Sequence, residues 1–124
     1  MSVDISVIIP IYNEQDNIPE LYNRLTNAVK QITQNYELIF INDGSKDISL
    51  IRLIELSKTD EHVFYINLSR NFGHQIAVSA GIDHCTGKSV VIIDADLQDP
   101  PELITQMYER YKEGFEVVYA KRAK

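Results

Sequence analysis

At 124 residues the chain has room for one domain built on a single core. Eighteen acidic and 12 basic residues, spread along its length, give a net charge of −6 and argue against nucleic acid as the main partner. One cysteine, Cys85, excludes an internal disulfide and fits a reducing compartment. With no secretion signal and no apolar run near the ~20 residues a bilayer requires, the chain is expected to be soluble.

The first strand is predicted over Ile5–Ile9 and runs into Pro10, which removes a main-chain donor as the backbone leaves the sheet. In the following Tyr12-Asn13-Glu14, Tyr12 could cover a nucleobase with its ring and Glu14 could accept from a ribose hydroxyl; an ordinary strand end explains the run equally well. A helix should start at Asn17, with Glu20 three residues later in a capping-box arrangement and an apolar stripe of Ile18, Leu21, Leu25, Ala28, Val29 and Ile32. The second strand, Glu37–Ile41, ends in Asn42-Asp43-Gly44-Ser45, a tight turn in which Gly44 permits positive φ and Asp43 can cap or accept from a base N–H. A helix over about Ser49–Ser57 is expected to face the sheet with Ile51 and Ile54.

The third strand, Val63–Leu68, leads to Arg70-Asn71-Phe72-Gly73, where a glycine opening a helix lets a ligand approach the amide groups. That helix runs from His74 to about Asp83, weakened by Gly81, and Gly87 marks the next turn. A lone histidine is more often hydrogen-bonded or at the surface than a ligand, which holds for His74 and more firmly for His62 and His84. The fourth strand, Val90–Ile93, delivers Asp94-Ala95-Asp96-Leu97-Gln98, and the last helix is punctuated by Asp99 as N-cap, Pro100, Glu102 and a terminal Gly114, with Leu103, Ile104, Met107 and Tyr111 as its core face. A fifth strand, Glu116–Tyr119, is followed by Lys121 and Arg122, which could neutralise phosphate or simply belong to a tail.

This βα repeat implies an α/β fold with a mainly parallel sheet, in which ligands bind beyond the carboxyl ends of the strands. The polar clusters fall at those ends, and a ligand site explains them together where a structural account must treat each separately. Oxygen donors at alternating positions from Asp94 to Gln98 suit a hard divalent ion that completes its shell with water and phosphate. An acidic surface also needs such a cation to hold a diphosphate. Neither a G-x-G-x-x-G nor a P-loop pattern occurs, which disfavours dinucleotide oxidoreduction and ATPase chemistry.

In order along the chain, Val7-Ile8-Ile9-Pro10-Ile11-Tyr12-Asn13-Glu14, Asn42-Asp43-Gly44-Ser45-Lys46-Asp47, Leu68-Ser69-Arg70-Asn71-Phe72-Gly73-His74 and Asp94 through Glu102 resemble the inverting glycosyltransferases of family 2. The last two segments are most similar to the polyprenyl-phosphate hexosyltransferases, the group of dolichyl-phosphate mannose synthase and the bactoprenol glucosyltransferases. The resemblance covers the whole chain and implies a three-layer, Rossmann-like GT-A fold, residues 1–124 being the donor-binding part of a longer domain. It implies that Pro10, Tyr12, Glu14, Asp43 and Asp94 hold the nucleoside, with Arg70 and Ala95 in the same nucleotide-binding set. Asp96 and Gln98, helped by Asp94, would bind Mg²⁺ or Mn²⁺; Asp96 and Arg122 are the catalytic candidates, Arg122 standing where the family places a basic residue near the diphosphate. Asn42 departs from the pair of aspartates many members carry, which puts more weight on Asp43.

The implied reaction is metal-dependent transfer of a hexose, with inversion, from a nucleotide diphosphate sugar to a polyprenyl phosphate. UDP-glucose is preferred as donor, with a guanosine donor as the other choice. A lipid phosphate, with a second pKa of about 6, attacks without the strong general base a sugar hydroxyl needs. The family pattern continues past residue 124 with an acceptor-binding segment and, in the bactoprenol-linked group, two transmembrane helices, so the full-length protein is expected at the cytoplasmic face of a membrane. Apolar surface left by an absent second half could pair two copies. A soluble family 2 transferase acting on a sugar hydroxyl and a sugar-nucleotide binding fragment without turnover are the alternatives. A response-regulator receiver domain shares the length and a lysine matching Lys121, but wants an acidic pair directly after the first strand, where this chain has Tyr12-Asn13-Glu14.

Overall fold

Strand β1, Ile5–Ile11, lies between β2, Tyr36–Asn42, and β4, Ser89–Ile92, with β3, Val63–Asn67, and β5, Val117–Tyr119, at the two edges. The computed structural model describes residues 2–98, 100–112 and 117–119. Every strand pairing is parallel, in the order β3-β2-β1-β4-β5. A central parallel strand is covered on both faces, which is why β1 reads as an almost unbroken apolar run and Ile5, Val7, Ile8, Ile9 and Ile11 are fully buried. Each such side chain contributes about 1.5–3 kcal/mol of burial.

Alternate residues of β1 feed two cores. Ile5, Val7, Ile9 and Ile11 pack with Leu21, Leu25 and Val29 of α1, Ile18–Lys30, with Leu53 of α2, Ser49–Thr59, and with Ile104 and Met107 of α4, Ile104–Lys112. Ile8 faces the other way, with Ile39, Ile41 and Ile92, against Ala77 and Val78 of α3, His74–His84. The chain travels from β1 to β2 to β3, then α3 carries it back past β1 to β4, so α3 lies on the opposite face from α1 and α2. This reversal makes the junction of β1 and β4 the topological switch point. Gly81 lets α3 lie close to the sheet: a Cβ there would stand 2.6 Å from Ile8 Cγ2 and 2.9 Å from Ile41 Cδ1.

Some sequence expectations shift. Asn17 precedes α1 but makes no side-chain cap; its amide donates to Glu14 Oε1 at 3.0 Å, while the Glu14 carbonyl already accepts from Asn17 N and Ile18 N. With that turn closed, Glu20 pairs with Arg24 rather than completing a capping box. On α2 the buried positions are Ser49 and Leu53, whereas Ile51 is 55% exposed. Apolar residues surround this helix, so several stripes fit the period and the tertiary contact chose the one through Leu53 and Leu56. The last helix opens with a tight single turn over Pro101–Leu103 before α4, with Pro100 extended ahead of it. Asp99, Gly114 and the side chain of Tyr111 lie outside the described residues. Among the described residues no helix is long and apolar enough to cross a membrane.

The amino-terminal end of the sheet is stapled by one buried carboxylate. Glu37 Oε2 accepts from Ser6 Oγ at 2.6 Å, Thr86 N at 2.7 Å and Thr86 Oγ1 at 3.2 Å, and Ser6 Oγ in turn accepts from Gly87 N at 2.7 Å. Glu37→Ala is expected to lower the unfolding free energy by about 3 kcal/mol, read from urea denaturation, because buried donors lose their acceptor.

A second polar staple titrates. Burial pushes the Asp60 carboxyl up, but hydrogen bonds from Tyr22 Oη at 2.6 Å and from the His62 main chain and ring outweigh it and hold the group below its ordinary value. Burial and the same bond raise Tyr22 to about 12. The Asp60 contribution is therefore complete above the ordinary carboxylate pKa of about 4 and lost as pH falls through the lowered folded value. The Tyr22 contribution is complete below 10.0 and lost as pH rises through about 12. Urea midpoints measured across pH should fall at both ends, and Tyr22→Phe should flatten the alkaline limb and shallow the acid one.

Candidate functional site

A cavity of about 520 Å³ opens at the carboxyl end of the sheet, over the β1–β4 switch point. β1 and the loop after it contribute Pro10, Ile11, Tyr12 and Glu14; the loop after β2 contributes Asp43; the loop after β3 and the start of α3 contribute Asn71, Gly73 and His74; the segment after β4 contributes Asp94, Ala95 and Asp96. Tyr12 is 44% exposed at the rim, whereas Asp43 and Ala95 are buried.

The loops around this cavity are held by side chains that satisfy main-chain groups. Asn13 adopts a left-handed φ of 53°, a conformation asparagine tolerates better than most residues. Its N–H donates to Ser45 Oγ at 2.9 Å, and its Oδ1 accepts from Lys46 N at 2.7 Å. Glu14 N donates to Ser49 Oγ, Gln15 N to Asp47 Oδ2, and Ile48 N to Gln15 Oε1. Burial raises the Asp47 carboxyl, yet hydrogen bonds from Ser49 and Gln15 bring it below its ordinary value. The loops after β1 and β2 are thereby zipped together, and Ser45, Asp47 and Ser49 spend their polar groups on architecture.

Asp43 does the same for the loop after β3. Its Oδ1 accepts from Phe72 N at 2.7 Å, and its Oδ2 accepts from Gly73 N at 3.0 Å and Asn71 Nδ2 at 3.2 Å. Gly44, at φ 72°, allows this approach, since a Cβ there would collide with the main chain of Arg70 and Asn71. Gly73, at φ 104°, then turns the chain into α3. The helix delivers His74, whose Nε2 lies 3.0 Å from Asp94 Oδ1 at the end of β4. Beyond Ala95, Asp96 Oδ1 accepts from Gln98 N at 3.1 Å, and Leu97 takes a left-handed φ of 62°. That turn carries the chain away from the cavity.

Of the residues predicted from sequence, the structure brings Pro10, Tyr12, Glu14, Asp43, Asp94, Ala95 and Asp96 to one cavity. Arg70 is not among the lining residues. It borders a neighbouring groove with Lys46 and stacks its guanidinium 4.7 Å from the Phe72 ring, because the Asp43–Phe72 and Asp43–Gly73 bonds turn the loop at that point. Gln98 is likewise outside the lining, its main chain engaged in the turn onto Asp96. Arg122 and Lys121 lie outside the described residues. Asn71, Gly73 and His74 also line the cavity; the sequence marks the glycine opening α3 as a place of ligand approach, but the predicted site set names none of the three.

Among the described residues, the lining holds four carboxylates, Glu14, Asp43, Asp94 and Asp96, and neither lysine nor arginine. Among the described residues, no three His, Cys, Asp or Glu side chains gather into a ready-made metal cluster. Of the predicted set, Asp94 and Asp96 line the cavity and Gln98 does not. A donor set of two carboxylates fits Mg²⁺ or Mn²⁺, ions that draw the rest of their shell from water and substrate phosphates, and does not fit a closed structural site.

The family model of Glycosyl transferase family 2 matches residues 6–124. An uncharacterized glycosyltransferase of Bacillus subtilis, YkcC, is 55% identical over 122 residues, covering 98% of this chain and 38% of its own length. An uncharacterized glycosyltransferase of Synechocystis sp. is 48% identical over the same extent. The chain thus spans about 38% of the length of these relatives. In fold it is similar to S. aureus TarS 1–349 in complex with UDP-GlcNAc, with a TM-score of 0.72 and 23% identity over 90% of this chain and 31% of that one. It is also similar to the mannosyltransferase PcManGT of Pyrobaculum calidifontis in complex with GDP-Man and Mn²⁺, with a TM-score of 0.68 and 23% identity over 77% of this chain and 28% of that one.

Asp43→Asn places an amide where two main-chain N–H groups need an acceptor. The variant is expected to lose about 1.5–3 kcal/mol, the worth of hydrogen bonds to a charged group. Hydrogen exchange should accelerate at Phe72 and Gly73 more than at the β1 and β2 amides.

Proposed function

The chain belongs to Glycosyl transferase family 2, and from that premise we propose that it is the donor-binding part of an inverting hexosyltransferase that uses a nucleotide diphosphate sugar, UDP-glucose for preference, and a polyprenyl phosphate acceptor. The observation that carries the donor-site reading is the convergence of the strand ends of β1, β2 and β4 and the start of α3 on one acidic cavity at the switch point. Doubly wound sheets hold nucleotides in this crevice.

In this reading Tyr12 lays its ring against the base and Glu14 accepts from a ribose hydroxyl. Asp43 Oδ1, with one main-chain bond made, retains capacity for a second donor such as a base N–H. Pro10 and Ala95 present a wall without large polar groups between nucleoside and sugar. Asp94 and Asp96 would hold Mg²⁺ or Mn²⁺; such an ion supplies Lewis-acid stabilisation of the negative charge that develops on the leaving diphosphate. The acidity of the lining supports this, because a diphosphate brought among carboxylates without a countercharge is repelled. Arg122 is assigned a second positive charge near the diphosphate. The acceptor phosphate and the membrane contact at the cytoplasmic face belong to the full-length protein.

Calorimetric titration with UDP and with GDP, each with Mn²⁺ and with EDTA, tests the assignment. UDP is expected to bind in a Mn²⁺-dependent manner, and Asp96→Ala to weaken it at least about tenfold, or 1.4 kcal/mol. Binding indifferent to both metal and Asp96 would overturn the donor-site reading. Nucleotide binding without hydrolysis or transfer of the sugar would favour a binding fragment over an enzyme complete in this length.

A further inference from the structure

Resting on the donor-site reading above, we propose that His74 is a positioning residue that holds the Asp94 carboxylate for a phosphate-bound cation. The imidazole Nε2 stands 3.0 Å from Asp94 Oδ1, so one carboxylate oxygen is engaged and the other is left for a ligand. A carboxylate oxygen only accepts, which assigns the hydrogen to Nε2. Metal-binding carboxylates are commonly oriented by such a hydrogen bond from a neighbouring side chain.

The contact is built rather than incidental. His74 is the first residue of α3, and that helix start is pinned by the Asp43 carboxylate through the Phe72 and Gly73 amides. Asp94 leaves β4 on the far side of the switch point. The His74–Asp94 bond therefore closes the cavity between the loop after β3 and the loop after β4, joining the Asp43 side of the site to the Asp96 side. Both partners remain partly open, with side-chain exposures of 50% for His74 and 31% for Asp94, so a ligand can reach the pair.

Two measurements decide it. In long-range proton–nitrogen spectra of the histidine rings, Asp94→Asn should shift the His74 ring nitrogens and leave those of His62 and His84, which bond elsewhere, in place. An unmoved His74 ring overturns the contact whatever the chain binds. In UDP titrations, His74→Ala should weaken the Mn²⁺-dependent binding by about tenfold or more, while binding in EDTA changes by no more than about twofold. His74→Gln, whose amide N–H reaches the same region, should recover most of the loss. An equal loss in EDTA would mean that His74 touches the nucleotide itself, and an unchanged Mn²⁺ response would mean that it does nothing for the cation; either result overturns the positioning role alone. A wild-type chain that takes up neither UDP nor GDP with Mn²⁺ overturns the donor-site reading and this role with it.

Discussion

The site depends on the buried carboxylate of Asp43. Four loops meet around one cavity, and they bring main-chain N–H groups that neither strand nor helix satisfies. Asp43 answers for the loop after β3, accepting from Phe72 N, Gly73 N and the Asn71 amide. Without an acceptor at that point the first turn of α3 has no fixed relation to β2, and His74 has none to Asp94. The same solution recurs where Asn13, Ser45, Asp47 and Ser49 join the loops after β1 and β2. Rigid positioning of a ligand site thus comes from short polar side chains bonded to backbone, which lose little rotamer freedom in the process.

The two ends of the sheet are held by different means for different purposes. At the amino-terminal end, Glu37 ties β1, β2 and the turn before β4 together by hydrogen bonds. At the carboxyl end, the polar groups of the β1 and β4 loops stay partly open around about 520 Å³ of space. The aliphatic core of β1 lies between the two ends. The reversal of strand order places the opening beyond the carboxyl ends of β1 and β4.

The described part of the opening is acidic. Four carboxylates face it, with no lysine or arginine in the lining among the described residues. The imidazole of His74 is the one basic group there among the described residues, and it is engaged with Asp94.

The sequence by itself determined the βα order, the mainly parallel sheet and the strand ends that carry the special residues. Apolar runs, turn glycines and polar clusters are local signals, and strand burial on both faces writes itself directly into composition. Tyr12, Glu14, Asp43, Asp94 and Asp96 were legible as candidates on that basis, and Pro10 and Ala95 through the family resemblance. What only the tertiary structure decided are the pairings between loops distant in sequence. The face of α2 that packs, the Asp43–Phe72 bond between residues 29 apart and the meeting of His74 with Asp94, 20 apart, turn on partners that no local pattern records. Hydrogen-bond geometry is resolved only after the strands are ordered. The same aspartate that reads in sequence as a ligand contact therefore proves in the fold to be first a support for the loop beside it.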